Sequence, residues 1–284
     1  MKQQPATATI IRATGPNAGI GAWYRRRLDA EIQAMQKSVA YWLLAAYRKR
    51  EAEIVGDAVF TGAADASPAR EILARFDKEM RRWKKRWVWL AGWLARRLVE
   101  KTEQADASAL EQAYKAAGFT VKFDAGRSLN ATTQALIEAN AHLIKTIPQR
   151  YFDEVREIVT RGVSMGRDLN YISEELGKRY KLTRERARFI ARDQADKASM
   201  AIQITRDQEL GIEEGVWMHV PGKKSSRPTH EAMNGKRFDL RVGLYDAAVG
   251  RYVLPAELPN CRCIYRRILP PIGNGKIRPD GNAP

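Results

Sequence analysis

Two long stripes of apolar residues constrain the fold of this chain most strongly. The first recurs at steps of three and four through Tyr24, Leu28, Ile32, Met35, Val39, Trp42 and Ala46. The second keeps a similar spacing through Ile72, Phe76, Met80, Trp83, Trp87, Leu90, Leu94 and Leu98. Such steps keep side chains on one face of an α-helix, so each stripe predicts a long amphipathic helix. A modest loop between them, Val55–Ser67, predicts an antiparallel hairpin, with Ser67-Pro68 starting its second helix.

Further helices are predicted after the hairpin. Their expected ranges are roughly 128–146, 148–160, 168–176 and 183–210. Pro148, Gly162–Gly166 and Gly177 separate these helices, because proline and glycine weaken helix interiors. Thr183 is the expected N-cap of the last helix, and Gly211 is its expected C-terminal stop.

Short strands are predicted where apolar and polar residues alternate. One run is Phe119–Phe123 and another is Val216–Val220, while Asn234-Gly235 predicts a tight turn. The fold class is therefore α+β and predominantly helical, with a long N-terminal helical hairpin and a compact C-terminal α+β domain.

The charge balance predicts a polyanionic partner. Lysine and arginine number 49 against 33 aspartate and glutamate residues, giving a formal net charge of +16. Such an excess favours non-specific contact with the phosphates of DNA. The candidate phosphate-contacting residues are Arg81, Arg82, Lys84, Lys85 and Arg86. Further basic clusters are Arg25–Arg27, Arg48–Arg50 and Arg266–Arg267. For the tryptophans at 83, 87, 89 and 93, core packing is favoured over base stacking.

A membrane partner and a secretory route are not expected. The most apolar stretch, Trp87–Ala95, is too short to span a bilayer and is flanked by arginines. The N-terminal residues lack the apolar core of a signal peptide. Two cysteines one residue apart do not make a disulfide framework, which favours a reducing cytoplasmic setting.

Two histidines and both cysteines gather between residues 217 and 263. His230, Cys261 and Cys263, with His219 as a fourth, have the ligand types of a zinc site. The Cys-x-Cys spacing and the lack of a second cysteine pair favour simple packing instead. No cofactor is therefore predicted, and zinc is kept as an alternative.

Nucleophilic catalysis is an alternative role for the same residues. A thiol–imidazole pair of Cys261 or Cys263 with His230, or Ser225-Ser226 with His230, lacks a recognisable orienting residue or oxyanion hole. The acidic residues are too scattered to predict a metal-dependent nuclease. No catalytic residue is predicted, and the chain is not expected to be an enzyme.

Four motifs in order resemble the phage Mu F-like minor head proteins, also called the head morphogenesis family. They are Ile190-Ala191-Arg192-Asp193-Gln194, then Gly211-Ile212 with Trp217, then Arg227-Pro228-Thr229-His230 with Gly235, and finally Asn260-Cys261-Arg262-Cys263. The signature residues are Arg192, Asp193, Trp217, Arg227, His230, Gly235, Asn260, Cys261 and Cys263. The resemblance covers about residues 130–268. The chain departs from it at Lys223 and Ser225, where members often carry an acidic residue and an arginine.

The resemblance implies a bacteriophage structural protein of head morphogenesis and virion assembly. Its implied partners are the portal protein, a major capsid or scaffolding protein, and packaged DNA. Its implied location is the virion head or procapsid interior, and the host cytoplasm during assembly. Two alternatives stay open: a metal- or Cys/His-dependent enzyme acting on nucleic acid or a nucleotide, and a non-specific DNA-binding protein unrelated to capsids.

The domain organisation expected from these arguments has four parts. They are a flexible N-terminal tail at 1–19, a helical, portal-proximal docking region at 20–125, a Mu F-like domain at 126–269, and a disordered C-terminal tail at 270–284.

Overall fold

The computed structural model of the protein describes residues 9–60, 66–123, 130–222 and 226–269. The helices are α1 (Ala18–Phe60), α2 (Ala66–Ala116), α3 (Asn130–Ser164), α4 (Leu169–Glu209) and α5 (Pro228–Met233). The strands are β1 (Ile10–Ile11), β2 (Glu214–Met218), β3 (Arg237–Asp239), β4 (Leu244–Asp246), β5 (Arg251–Val253) and β6 (Ile264–Ile268). This architecture confirms the predicted α+β class with long helices first and small sheets last. The C-terminal tail expected at 270–284 lies outside the described residues.

The chain forms two compact units, each assembled from separated stretches. Unit 1 takes its described residues from Met1–Ala22, Arg96–Ile137 and Arg192–Pro284. Unit 2 takes its residues from Trp23–Ala95 and Glu138–Ala191. The division into contiguous domains at 20–125 and 126–269 stays a prediction. No helix among the described residues is long and apolar enough to cross a membrane.

Unit 2 contains most of α1 and the part of α2 up to Ala95, which form the predicted hairpin. Arg86 pairs with Glu31 and Arg50 pairs with Glu71, so residue numbers rise along one helix as they fall along the other. The stripe residues of α1 from Tyr24 to Val39 are buried. Trp42, a member of the predicted stripe, is 39% exposed, and Leu43 is buried in its place. The step from Val39 to Leu43 follows the 3.6-residue helical period more closely over this turn.

Several predicted breaks between helices are wrong. α1 continues through Val55 to Phe60, and α2 already begins at Ala66, so Ser67 is not a cap. Pro148 lies inside α3, where it is buried, and Gly177 lies inside α4. Thr183 is also interior, and its hydroxyl donates to the Arg179 carbonyl at 2.9 Å instead of capping a helix. Asp168 is a true cap, because its Oδ1 accepts the Tyr171 N–H at 2.9 Å.

Unit 1 is built around a four-stranded antiparallel sheet in the order β1-β6-β2-β3, with β4 and β5 paired separately. Its core includes Trp217, Tyr265 and Ile212, each at most 1% exposed. Ile11 in β1 is equally buried, which differs from the flexible tail expected at 1–19.

The strand predicted at Phe119–Phe123 is wrong. These residues follow α2 without strand pairing. The Phe119 N–H bonds back to the Tyr114 carbonyl at 3.0 Å, and the Phe123 N–H bonds to the Glu111 carboxylate at 3.0 Å. Bonds to the preceding helix therefore satisfy backbone groups that a strand would have used.

A buried polar network lies beside this core. Arg267 is fully buried, with its Nε 2.5 Å from Asp207 Oδ2. Tyr114 and Tyr265 also donate to the Asp207 carboxylate, at 2.7 and 2.5 Å. In the basic pair Arg266-Arg267, only Arg266 is therefore exposed and available to a phosphate.

Candidate functional site

Both cysteines and two histidines converge at one end of the unit 1 sheet. Met218 at the end of β2 pairs with Ile264 at the start of β6. The next residue outward on each chain is His219 and Cys263, so the antiparallel register places them side by side. The distance from His219 Nδ1 to Cys263 Sγ is 3.6 Å. The register, and not the sequence spacing, brings these residues together.

The helix α5 and the turn after it bring His230 to the same place. The Gly235 N–H bonds to the Trp217 carbonyl at 2.8 Å, and Asn234 Oδ1 accepts the His219 N–H at 2.9 Å. Gly235 has φ +80°, as predicted for the Asn-Gly turn. The His230 ring meets the Trp217 ring edge-on at 5.5 Å. The turn thus folds α5 back against the end of β2.

His230 lies against both sulfur atoms. Its Nδ1 is 3.3 Å from Cys261 Sγ and 3.6 Å from Cys263 Sγ. All three side chains are buried, at 2–3% exposure. Their ligand atoms lie within 4.8 Å of one another, so they form a group able to hold a metal ion.

The outer nitrogen of each histidine has its own side-chain partner. His230 Nε2 lies 3.2 Å from Asp246 Oδ2, and Asp246 is fully buried. His219 Nε2 lies 3.1 Å from Ser226 Oγ. Sequence reasoning missed Asp246 and Ser226 in these roles. No motif distinguished Asp246, which ends a three-residue strand, from the other acidic residues.

The pKa values of the two cysteine thiols are shifted in opposite directions. The neighbouring Cys263 thiol lowers the pKa of Cys261 despite burial, and His230 lowers it further. The pKa of Cys263 is raised by Cys261 and by burial. Burial opposes the charged form of His230, but Cys261 and Asp246 outweigh it and raise the pKa of His230. One sulfur therefore carries negative charge more readily than the other.

The signature residues hold the loop that carries the cysteines. Asp193 Oδ1 accepts the Asn260 N–H at 2.5 Å, and Arg192 donates to the Asn260 side chain. Arg227 donates to the Pro259 carbonyl at 2.7 Å. Asn260 itself has φ +60°, a conformation that asparagine tolerates better than most residues. Residues from three separate motifs thus fix the backbone just before Cys261.

A cavity of about 220 Å³ opens beside the cluster. Its lining includes Ser226, Arg227 and Arg262 together with the cysteines and histidines. Lys223 and Ser225, where the chain departs from the family pattern, lie outside the described residues.

The candidate phosphate-contacting residues lie on α2 in unit 2, whereas the cysteine and histidine cluster belongs to unit 1. Arg86 is engaged by Glu31 through two bonds of 2.8 and 2.9 Å, and Arg82 lies 3.9 Å from Glu79. The other three, Arg81, Lys84 and Lys85, make no ion pair with another described residue.

The tryptophans of α2 divide between core and surface. Trp83 and Trp87 are buried, as expected for core packing. Trp89 is 67% exposed and stacks on Trp93 at 6.2 Å.

Comparison with known proteins agrees with the four motifs. Residues 153–266 match the family model described as "Phage Mu protein F like protein", within the region predicted to carry the resemblance. A Haemophilus influenzae protein named "Uncharacterized protein" is 25% identical over 274 residues. The alignment covers 95% of this chain and 58% of that protein, so the chain spans little more than half of its relative. No solved structure matches the chain significantly. Residues 153–266 are thus a phage Mu F-like region.

Proposed function

We propose that this chain, through its Mu F-like region, serves as a minor head protein of a tailed bacteriophage. The family match over residues 153–266 carries this proposal, because it suggests a protein of phage head morphogenesis. In the proposed role the protein is structural, joins the portal and a capsid or scaffolding protein in the procapsid interior, and contacts DNA without sequence preference.

The burial of the cysteine cluster supports a non-enzymatic role. Cys261 and Cys263 are at most 3% exposed, so neither sulfur is accessible to a macromolecular substrate. Arg192, Asp193 and Arg227 bond to the loop backbone or to Asn260. The signature residues are thereby occupied in building a loop.

The surface of unit 2 supports a docking role for the hairpin. α1 exposes Tyr41 at 67% and Trp42 at 39%, and α2 exposes Val88 at 57% and Trp89 at 67%. Large exposed aromatic side chains are enriched at protein interfaces, where they contribute strongly to binding. We assign these residues to the contact with the portal or the inner capsid wall.

Co-expression of the chain with the portal protein of its phage tests this assignment. We expect the two to co-sediment, and we expect the double variant Tyr41→Ala, Trp89→Ala to lose most of that association. Tyr245→Ala is a matched control, since Tyr245 is 57% exposed but belongs to unit 1. Failure of the unmodified chain both to co-sediment and to enter procapsids would refute the proposed function.

A further inference from the structure

We propose that His219, His230, Cys261 and Cys263 bind one zinc ion in a closed site that stabilises unit 1. The inference does not rest on the proposed function, and it concerns residues whose spacing in the sequence argued against a metal. It rests on three observations: ligand geometry, the partners of the histidines, and the elements that the ligands connect.

Three of the six separations between the proposed ligand atoms match those of a tetrahedral zinc site. With Zn–S bonds of about 2.3 Å and Zn–N bonds of about 2.0–2.1 Å, sulfur and nitrogen ligands stand about 3.5 Å apart. The three sulfur–nitrogen distances here are 3.3, 3.6 and 3.6 Å. His230, Cys261 and Cys263 are placed to hold an ion, and the His219 ring, which contacts only Cys263 among them, completes the site by moving closer.

The nitrogen and sulfur atoms face a common centre. Groups that are linked only by hydrogen bonds would instead form a chain of single contacts. His230 Nδ1 faces both sulfurs, and Cys263 Sγ faces both imidazoles. An imidazole nitrogen directs one lone pair or one N–H, so it cannot make two good hydrogen bonds at once. A shared ion between these atoms satisfies all of the contacts together.

The outer partners of the histidines are those of metal ligands. Asp246 contacts Nε2 of His230 from a fully buried position, and Ser226 contacts Nε2 of His219. Metal-binding histidines commonly donate a hydrogen bond from the N–H of their second nitrogen to such a group. This bond orients the ring and directs the other nitrogen at the metal. Both rings therefore direct Nδ1 at the sulfurs.

The site connects elements that are too short to hold each other firmly. His219 follows β2, His230 lies on the six-residue α5, and the cysteines precede β6. β3, β4 and β5 have three residues each. Four protein ligands leave no open coordination position, which is typical of structural zinc and not of catalytic zinc.

Cys261 and Cys263, one residue apart, both reach the site because residues of other segments hold the backbone of their loop. Asn260 has φ +60° and is bonded to Asp193 and Arg192, while Arg227 holds Pro259. The turn at Asn260 presents Cys261 and Cys263 to the same imidazole. The Cys-x-Cys spacing is thus compatible with two ligands in this loop.

Metal content of the purified full chain is the first test. We expect one zinc per chain by mass spectrometry of the metals, and we expect Co²⁺ to give the thiolate charge-transfer and visible bands of tetrahedral coordination. Cys263→Ser and His230→Ala should lose the metal. His142→Ala, which changes the third and exposed histidine, should keep it. Absence of both zinc and the cobalt spectrum in the unmodified chain overturns the proposal.

Two further variants test His219 as the fourth ligand and Asp246 as the outer partner of His230. His219→Ala should alter the cobalt spectrum, and an unchanged spectrum would exclude the closed four-ligand site. Asp246→Asn should weaken zinc binding about 10–100-fold in competition with a chelator, as expected for a lost outer partner. Asp153→Asn, at an exposed position of unit 2, is the control.

Chelation of the unmodified chain covers the case in which a ligand variant does not fold. We expect EDTA to lower the midpoint of thermal unfolding and added Zn²⁺ to restore it. The Cys261–His230–Asp246 line also resembles a thiol–imidazole–carboxylate catalytic arrangement. Rapid alkylation of one cysteine that zinc does not slow would favour that chemistry and contradict the metal site.

Discussion

At the scale of single residues, two of the carboxylates that unit 1 buries differ in how completely they are hydrogen-bonded. Asp207 accepts bonds from Tyr114, Tyr265 and Arg267. Asp106 is 2% exposed, and its Oδ1 accepts from Ser199 and Gln203 at 3.1 and 3.2 Å. Its Oδ2 has no hydrogen-bond partner among the described residues. Burial therefore raises the pKa of Asp106 to about 7, although those hydrogen bonds oppose the rise.

This shift predicts that the contribution of Asp106 to stability falls as the pH rises from about 4 to about 7. In that window the folded protein keeps a proton on Asp106 that the unfolded chain has lost, so unfolding becomes easier as the pH increases. Asp106→Asn removes the buried charge. We expect the variant to gain up to about 4 kcal/mol in unfolding free energy at pH 8 and little at pH 4.

Urea unfolding of the protein and the variant at both pH values measures this effect. Asp153→Asn, at an exposed position, should show no such pH-dependent gain. An equal effect of Asp106→Asn at both pH values would contradict the shift.

At the scale of elements, packing outweighs local helix breakers. Pro148 and Gly177 lie within helices of 35 and 41 residues, although each is a reasonable place to end one. The buried residues Ile172 and Leu176 belong to the same helix as Gly177. The glycine therefore does not mark a boundary between two packing faces. The glycine is therefore an ordinary interior helix position without a side chain.

Replacing Gly177 by alanine should stabilise the protein. A Cβ at this position meets nothing within 4 Å, and alanine loses less backbone entropy on folding than glycine does. We expect about 0.5–1 kcal/mol of added stability, visible as a rise of about 1–4 °C in the midpoint of thermal unfolding.

Gly243→Ala is the opposing variant for this measurement. Its new Cβ would lie 2.1 Å from the Val253 carbonyl oxygen, at φ +87°. We expect it to lower the midpoint. A fall with Gly177→Ala as well would show that the glycine is required in α4.

The sequence was sufficient for the features that depend on periodicity. Most residues of the two stripes are buried, with Trp42 exposed, and α4 ends just before Gly211, so these local patterns predicted the helices and the stop. The group of cysteines and histidines does not follow from a local pattern, because the register of β2 with β6 brings its members together. The burial of Arg267 is equally invisible locally, because Asp207 lies 60 residues away.

At the scale of the whole molecule, only some of the cations behind the net charge of +16 are available to bind a phosphate. Arg86 is paired with Glu31, and Arg267 is buried against Asp207. Arg81 and Lys85 are exposed on α2, four residues apart and followed at the same interval by Trp89. This spacing puts two cations and an exposed aromatic ring on one side of the helix.

The proposed contact with DNA predicts that charge reversal on this side weakens DNA binding. We expect the double variant Arg81→Glu, Lys85→Glu to lose about tenfold in affinity and to lower the salt slope by about two, since each cation neutralises one phosphate. The control Lys37→Glu, Lys145→Glu makes the same charge change at exposed positions of unit 2. Fluorescence anisotropy across a salt series measures both, and equal losses would mean that only net charge matters.

The position of β6 in its sheet governs when unit 1 can be completed during synthesis. β6 lies between β1 and β2, so β1 has no partner in the sheet and β2 pairs only with β3 until residues 264–268 have left the ribosome. Unit 2 is fully synthesised by Ala191, long before that point. The strand Ile10–Ile11 precedes β6 by about 250 residues, so its backbone stays unpaired in the sheet until that later segment is made.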